Sequence, residues 1–205
     1  MRKQSSVSNK TTLKILITGD PASGKTTTAK ALEKGLGIPA FHTDTFRFKD
    51  AVTLAPYEEF KNKVKGVITK NESYIIEGAD FGDEAEFLDM ILSDADIILI
   101  FDIPPSESIN KWFKRIDKTE PQEHLGFNND PNYDGGVKQV RFMLEWYHWY
   151  LDRKEQMQQR LKHFMNKVIT VQHHTAADKV IAYLTAGKFK KSKNGINFLF
   201  DPNSL

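Results

Sequence analysis

The spacing with the most definite chemistry in this chain is Gly19-x-x-x-x-Gly24-Lys25-Thr26. Two glycines at that distance let a loop turn tightly and bring its N–H groups against phosphate oxygens. A lysine placed directly after them reaches β- and γ-phosphates, and a threonine hydroxyl next to it ligates Mg²⁺. A nucleotide cradle is therefore expected from Gly19, Asp20, Ala22, Ser23, Gly24, Lys25, Thr26 and Thr27, with Mg²⁺ beside it. Leu13 to Thr18 ahead of it is a short apolar run that suits a buried strand. Ala29, Leu32 and Leu36 behind it are spaced as one helix face, whose positive N-terminal end would point at the same anion.

Further groups can be ordered by what phosphate chemistry needs. Asp44 follows a short strand, where a carboxylate can take the proton of an attacking hydroxyl or hold a water on Mg²⁺. The alternative is a turn or cap aspartate. Arg47, three residues on, can grip an anionic substrate bidentately, unless it is a solvated surface arginine. Glu77 and Gly78 end a third strand, and Asp102 ends a fourth. Either acid can serve Mg²⁺, and Asp102 can equally cap the helix opened by Pro105. Lys111, Lys114 and Arg115 precede an irregular stretch, and Arg141 follows it. Cations carried on a closing lid can stabilise a moving phosphoryl group, with Arg115 the best placed and salt bridging the competing use.

These groups need elements to hold them. Strand patterns at 13–18, 38–42, 73–77, 96–101 and 167–171 alternate with helical patterns. The helices run from Lys25 to about Gly35, over 57–69, around Phe87 to Leu92, from Pro105, over 137–165 and over 175–185. Such alternation predicts a parallel sheet covered by helices on both faces. Ligands of such sheets sit beyond the carboxyl ends of the strands. That rule gathers the loop, Asp44, Glu77 to Asp80 and Asp102 along one edge. Residues 117–136 lose periodicity, with two Pro, three Gly and three Asn, as a functional loop does. Phe142, Trp146, Trp149 and Tyr150 share one helix face and read as core. His173 and His174 follow the fifth strand, where a nucleotide base can lie, but adjacent histidines diverge and make no metal site.

The chain reads as a polar mobile tail (1–12), one domain (13–186, lid about 117–136) and a basic tail (187–205). A net charge of +2 from 29 basic and 27 acidic residues gives no case for nucleic acid as partner. The absence of cysteine excludes disulfides and thiolate chemistry. With no signal-like start and no spanning apolar run, a cytoplasmic protein with a small-molecule acceptor and no membrane is expected.

Several stretches carry a family resemblance. They are Ile15 to Thr26, Gly37 to Asp44, Tyr74 to Gly78, Asp96 to Pro104 and Trp112 to Arg115. Together they resemble the adenylate-kinase-like group of P-loop small-molecule kinases, and most of all the bacterial DNA topology modulation kinases. The resemblance implies a P-loop NTPase three-layer α/β sandwich, a five-stranded parallel sheet with the P-loop strand central, and a helical lid with arginines. It implies ATP-dependent, Mg-assisted γ-phosphoryl transfer to a nucleoside or nucleotide. Asp44-x-x-Arg47 is similar both to the acceptor site of nucleotide kinases and to phage polynucleotide kinase, where the aspartate is the base for a hydroxyl. Glu77 stands where the family usually has Asp, and lysines stand at 111 and 114 in place of lid arginines. The competing readings are a nucleotide-binding regulator that engages a partner through the basic tail, and a phosphotransferase for another alcohol such as an antibiotic or a 5′-hydroxyl nucleic acid.

Overall fold

The computed structural model describes residues 12–49, 54–78, 81, 84–116, 137–192 and 195–201. Within its helices, the side chains of 112, 113, 115, 116, 137–143, 146, 149 and 150 lie outside the described set. The expected mobile tail except residue 12, the lid at 117–136, Asp80, the side chains of Arg115 and Arg141, and the aromatic face of 142–150 therefore lie outside the described residues.

Five parallel strands form the sheet: β1 (Lys14–Gly19), β2 (Ala40–His42), β3 (Tyr74–Glu77), β4 (Ile97–Phe101) and β5 (Val168–Val171). Their order is β2-β3-β1-β4-β5, so the P-loop strand is central, as expected. Seven helices connect them: α1 (Lys25–Leu36), α2 (Asp44–Arg47), α3 (Tyr57–Lys70), α4 (Ala85–Asp94), α5 (Pro105–Ile116), α6 (Val137–Leu161) and α7 (His174–Thr185). A 3₁₀ segment, Lys162–Lys167, joins α6 to β5.

Side-chain alternation along the strands divides the core into two layers. Ile15 and Ile17 of β1, Ile75 of β3 and Ile97, Leu99 and Phe101 of β4 pack with Ala29 and Leu32 of α1 and Val180 and Leu184 of α7. Leu16, Ile76 and Ile98 point the other way, onto Phe60 and Val64 of α3 and Phe87, Ile91 and Leu92 of α4. Central strands buried on both faces read as continuous apolar runs for this reason. The architecture is the expected three-layer sandwich. Among the described residues no helix is long and apolar enough to cross a membrane.

Two segments differ from the sequence reading. Thr43 to Arg47, given no element after the strand at 38–42, turns immediately into α2, with the Phe46 and Arg47 N–H groups donating to the Thr43 carbonyl. Four residues are too few to show a period. The basic tail folds into an antiparallel hairpin, β6 (Phe189–Ser192) and β7 (Gly195–Phe198). Ile196 is buried, Phe189, Phe198 and Phe200 pack on the α1/α7 layer, and Phe200 stacks on Tyr183 at 4.6 Å. Lys191 donates to Asp96 at 2.6 Å and to the Thr12 carbonyl at 3.1 Å. The hairpin thus lies at the N-terminal ends of the strands, away from the P-loop.

Candidate functional site

Register aligns the strand tips: His42 opposite Glu77, Glu77 opposite Ile17, and Gly19 opposite Phe101. The groups of the site lie along that edge.

The P-loop leaves β1 against β4. Gly19 has φ +123°, and a Cβ there would lie 2.2 Å from the Phe101 carbonyl oxygen. Asp20 N–H donates to that same oxygen at 2.8 Å. Ala22 and Gly24 also take positive φ, at 53° and 102°, which curls the loop around a concave row of N–H groups. Gly24 caps α1, and Lys25 begins it. The Lys25 ammonium is buried and donates to the Asp20 carbonyl at 2.5 Å. Ser23 is fully buried, and its Oγ has no hydrogen-bond partner among the described residues. A buried hydroxyl without a partner, in a loop turned by three positive-φ residues, suits a phosphate oxygen. Thr27 is exposed on the first turn of α1.

Beside the loop, Thr26 Oγ1 donates to Glu77 Oε2 at 3.2 Å, and His42 Nδ1 lies 2.9 Å from the same oxygen. The hydrogen bond to Glu77, with that carboxylate's charge, outweighs partial burial and raises the His42 pKa above its ordinary value. Among the described residues no group of three His, Asp or Glu could by itself hold a metal ion. Mg²⁺ asks for less: one or two protein oxygens, with water and phosphate completing the octahedron. Thr26 with Glu77 is such a pair.

Thr43 joins the tips of β2 and β3. Its N–H donates to the Glu77 carbonyl at 2.8 Å, and Gly78 N–H donates to Ile17 at 3.0 Å. A Cβ on Gly78 would fall 1.7 Å from Thr43 Oγ1. Gly78 is therefore needed for space, a role not visible from its place after an acid. Asp44 opens α2 and is half-buried. Arg47 closes α2: its Nη1 donates to the Ala55 carbonyl at 3.3 Å, and its guanidinium lies 5.8 Å from the Tyr57 ring centre and 5.6 Å from that of Phe60. Those contacts fasten α2 to α3.

Asp102 follows β4, and its Oδ1 accepts from Lys154 of α6 at 2.6 Å. The same ammonium lies 3.1 and 3.2 Å from the two carboxylate oxygens of Asp20. Burial pulls the Lys154 pKa down, but the Asp102 hydrogen bond and the Asp20 charge prevail and leave it raised. The sequence reading missed Lys154. Lys111 is half-buried and Lys114 exposed on α5.

The histidines after β5 separate in role. His173 caps α7, accepting at Nδ1 from Ala176 N–H at 3.3 Å. His174 turns to the P-loop: a Cβ on Gly24 would lie 3.5 Å from its Nδ1. Its Nε2 is buried with no partner among the described residues.

Strand order, central P-loop and two helical layers define a P-loop NTPase three-layer α/β fold. No protein-family model matches the chain, and no curated protein matches it. Among solved structures, the shikimate kinase from Bacteroides thetaiotaomicron aligns with a TM-score of 0.55 at 13% identity, over 85% of this chain and 97% of that one. The shikimate kinase from Aquifex aeolicus aligns with a TM-score of 0.48 at 16% identity, over 85% and 95% respectively. At 13% identity the first of these likenesses, with a TM-score of 0.55, shows the fold alone.

Proposed function

We propose that this chain is an ATP-dependent phosphotransferase acting on the hydroxyl group of a small acceptor, a nucleoside or another alcohol. The observation that carries the reading is the P-loop: three positive-φ positions, a buried and unpartnered Ser23 Oγ, and Thr26 already bonded to Glu77. ATP with Mg²⁺ supplies the phosphoryl group and neutralises its charge. The loop N–H groups, Ser23 and Lys25 bind the β- and γ-phosphates. Lys25 reaches them by leaving the Asp20 carbonyl. Thr26 and Glu77 hold the metal, a preference over Asp102 that rests on the Lys154–Asp102 contact.

Asp44 accepts the acceptor hydroxyl's proton as its oxygen bonds to phosphorus and the β–γ bridge breaks. Arg115 and Arg141 are the proposed lid cations that steady the moving group. An alcohol is favoured over a phosphate-bearing acceptor because Arg47 is engaged with Ala55 and two aromatic rings. The adenylate-kinase-like kinship, with DNA topology modulation kinases as its nearest branch, belongs to the same proposal.

The test is γ-labelled phosphate transfer from Mg-ATP to a panel of nucleosides, nucleoside monophosphates, 5′-hydroxyl oligonucleotides and shikimate, which the fold neighbours' name brings in. Transfer to a hydroxyl acceptor, lost in Lys25→Ala and Asp44→Asn, is expected. Transfer only to monophosphates, or activity undiminished in Asp44→Asn, overturns the assignment of Asp44.

A further inference from the structure

Asp20 is out of place by charge. It stands first in a loop that gathers anions, it is only 2% exposed, and its carboxylate faces α6. A carboxylate so placed needs a cation, because an uncompensated buried charge is strongly destabilising. Asp102 adds a second negative charge on the next strand tip. One ammonium serves both: Lys154 lies 3.1 Å from Asp20 Oδ1 and 2.6 Å from Asp102 Oδ1. Tyr147 sits seven residues earlier on α6, two helical turns along the same face. Burial first, and then the Asp20 charge, raise its pKa, so Tyr147 too lies within electrostatic reach of Asp20.

We infer that Lys154 is the resident counter-ion of the phosphate cradle, offsetting one of the two negative charges of Asp20 and Asp102 so that the loop's N–H groups and Lys25 weigh more in the potential met by an incoming polyphosphate. The inference rests on the nucleotide-binding reading above. Lys154 is a positioning residue: it acts on the nucleotide through two carboxylates and need not touch it. The magnitude follows from Coulomb's law. An uncompensated carboxylate about 8 Å from a phosphate, at an effective dielectric constant of about 30, weakens binding about ten-fold. Salt must shrink the effect, since the Debye length is about 10 Å at 0.1 M and about 3 Å at 1 M. A lysine that served only to dock α6 would show neither the salt dependence nor a rescue by removal of the opposing charge.

The experiment measures equilibrium binding of a fluorescent ATP analogue with Mg²⁺ to the full chain at low and high ionic strength. The variants are K154M, K154R, D20N and D20N/K154M, with K25A as the control for specific binding. K154M should weaken binding about ten-fold at low salt and clearly less at high salt, while K154R stays within about three-fold of wild type. D20N/K154M should regain most of the loss. D20N alone, which leaves Lys154 balanced one to one by Asp102, should bind about two- to three-fold more tightly, and this arm reads out even if K154M folds poorly.

Wild-type affinity in K154M overturns the inference. So does a loss that is equal at both salts and unrescued by D20N, or weakened binding in D20N. Absence of binding by wild type refutes the nucleotide reading itself, and this inference with it. Normal wild-type binding with the wrong variant pattern refutes this inference alone.

Discussion

Gly78→Ala should destabilise the protein through one named neighbour, Thr43. The added Cβ falls 1.7 Å from Thr43 Oγ1, 3.0 Å from its Cβ and 3.3 Å from its Cγ2. The backbones on either side are pinned by the Thr43–Glu77 and Gly78–Ile17 hydrogen bonds, so the strand tips cannot simply part. The Thr43 hydroxyl has no partner among the described residues, and rotating it away sacrifices little. What remains is the 3.0 Å contact with the Thr43 Cβ, which needs a shift of a few tenths of an ångström. Overpacking of this kind costs about 1–3 kcal/mol. For a chain of this length that corresponds to a fall in Tm of about 3–10 °C.

Thr43→Gly removes all three atoms that the new Cβ meets and should bring the Gly78→Ala cost below about 1 kcal/mol, a coupling outside ordinary additivity error. Urea unfolding of wild type, both single variants and the double variant measures it. A Gly78→Ala penalty under about 0.5 kcal/mol, or an equal penalty in both backgrounds, would refute the steric argument. Because Thr43 directly precedes Asp44, phosphoryl transfer should fall further than nucleotide binding in Gly78→Ala.

Three other outcomes are expected. Gly19→Ala combines a φ of +123° with a Cβ 2.2 Å from a backbone oxygen that cannot rotate away. A cost of about 3–5 kcal/mol should appear as a lowered Tm together with lost nucleotide binding. His42 has its pKa raised above 6.5 by Glu77, so its contribution is complete below pH 6.5 and fades as pH rises through the folded value. The stability gap between wild type and His42→Gln, from urea unfolding, should therefore be wider at about pH 6 than at about pH 8.5, and a gap that widens with pH refutes the pairing. Ile196→Ala, in a segment that looks like a tail, should cost about 2–4 kcal/mol in chemical denaturation, whereas an undocked hairpin would show almost nothing.

The sheet was legible because its strands are apolar on both faces and its helices keep a period. Phe87, Leu88, Ile91 and Leu92 were expected on one face, and all four are buried. The P-loop was legible because its spacing is itself the geometry. The hairpin was not, because Lys188, Lys190, Lys191 and Lys193 hide the two-residue alternation of Ile196, Phe198 and Phe200. Lys154 was not, because a lysine on a charged helix looks like any solvated lysine. Its partners are 134 and 52 residues away, a relation no local pattern carries. Gly78 was placed correctly at a strand tip, yet its need for space comes from Thr43 across the sheet.

The C-terminal hairpin has a consequence for the order in which the protein is made. Strand β1 and the P-loop emerge first, but β1's layer with α1 and α7 is sealed only when Ile196, Phe198 and Phe200 arrive. Lys191 then ties the chain's late segment to Thr12, at the very start of the fold. A nascent chain displaying the whole phosphate loop therefore still has an open seam beneath it. Synthesis of the hairpin, rather than of the P-loop, is the step after which this protein's core can close.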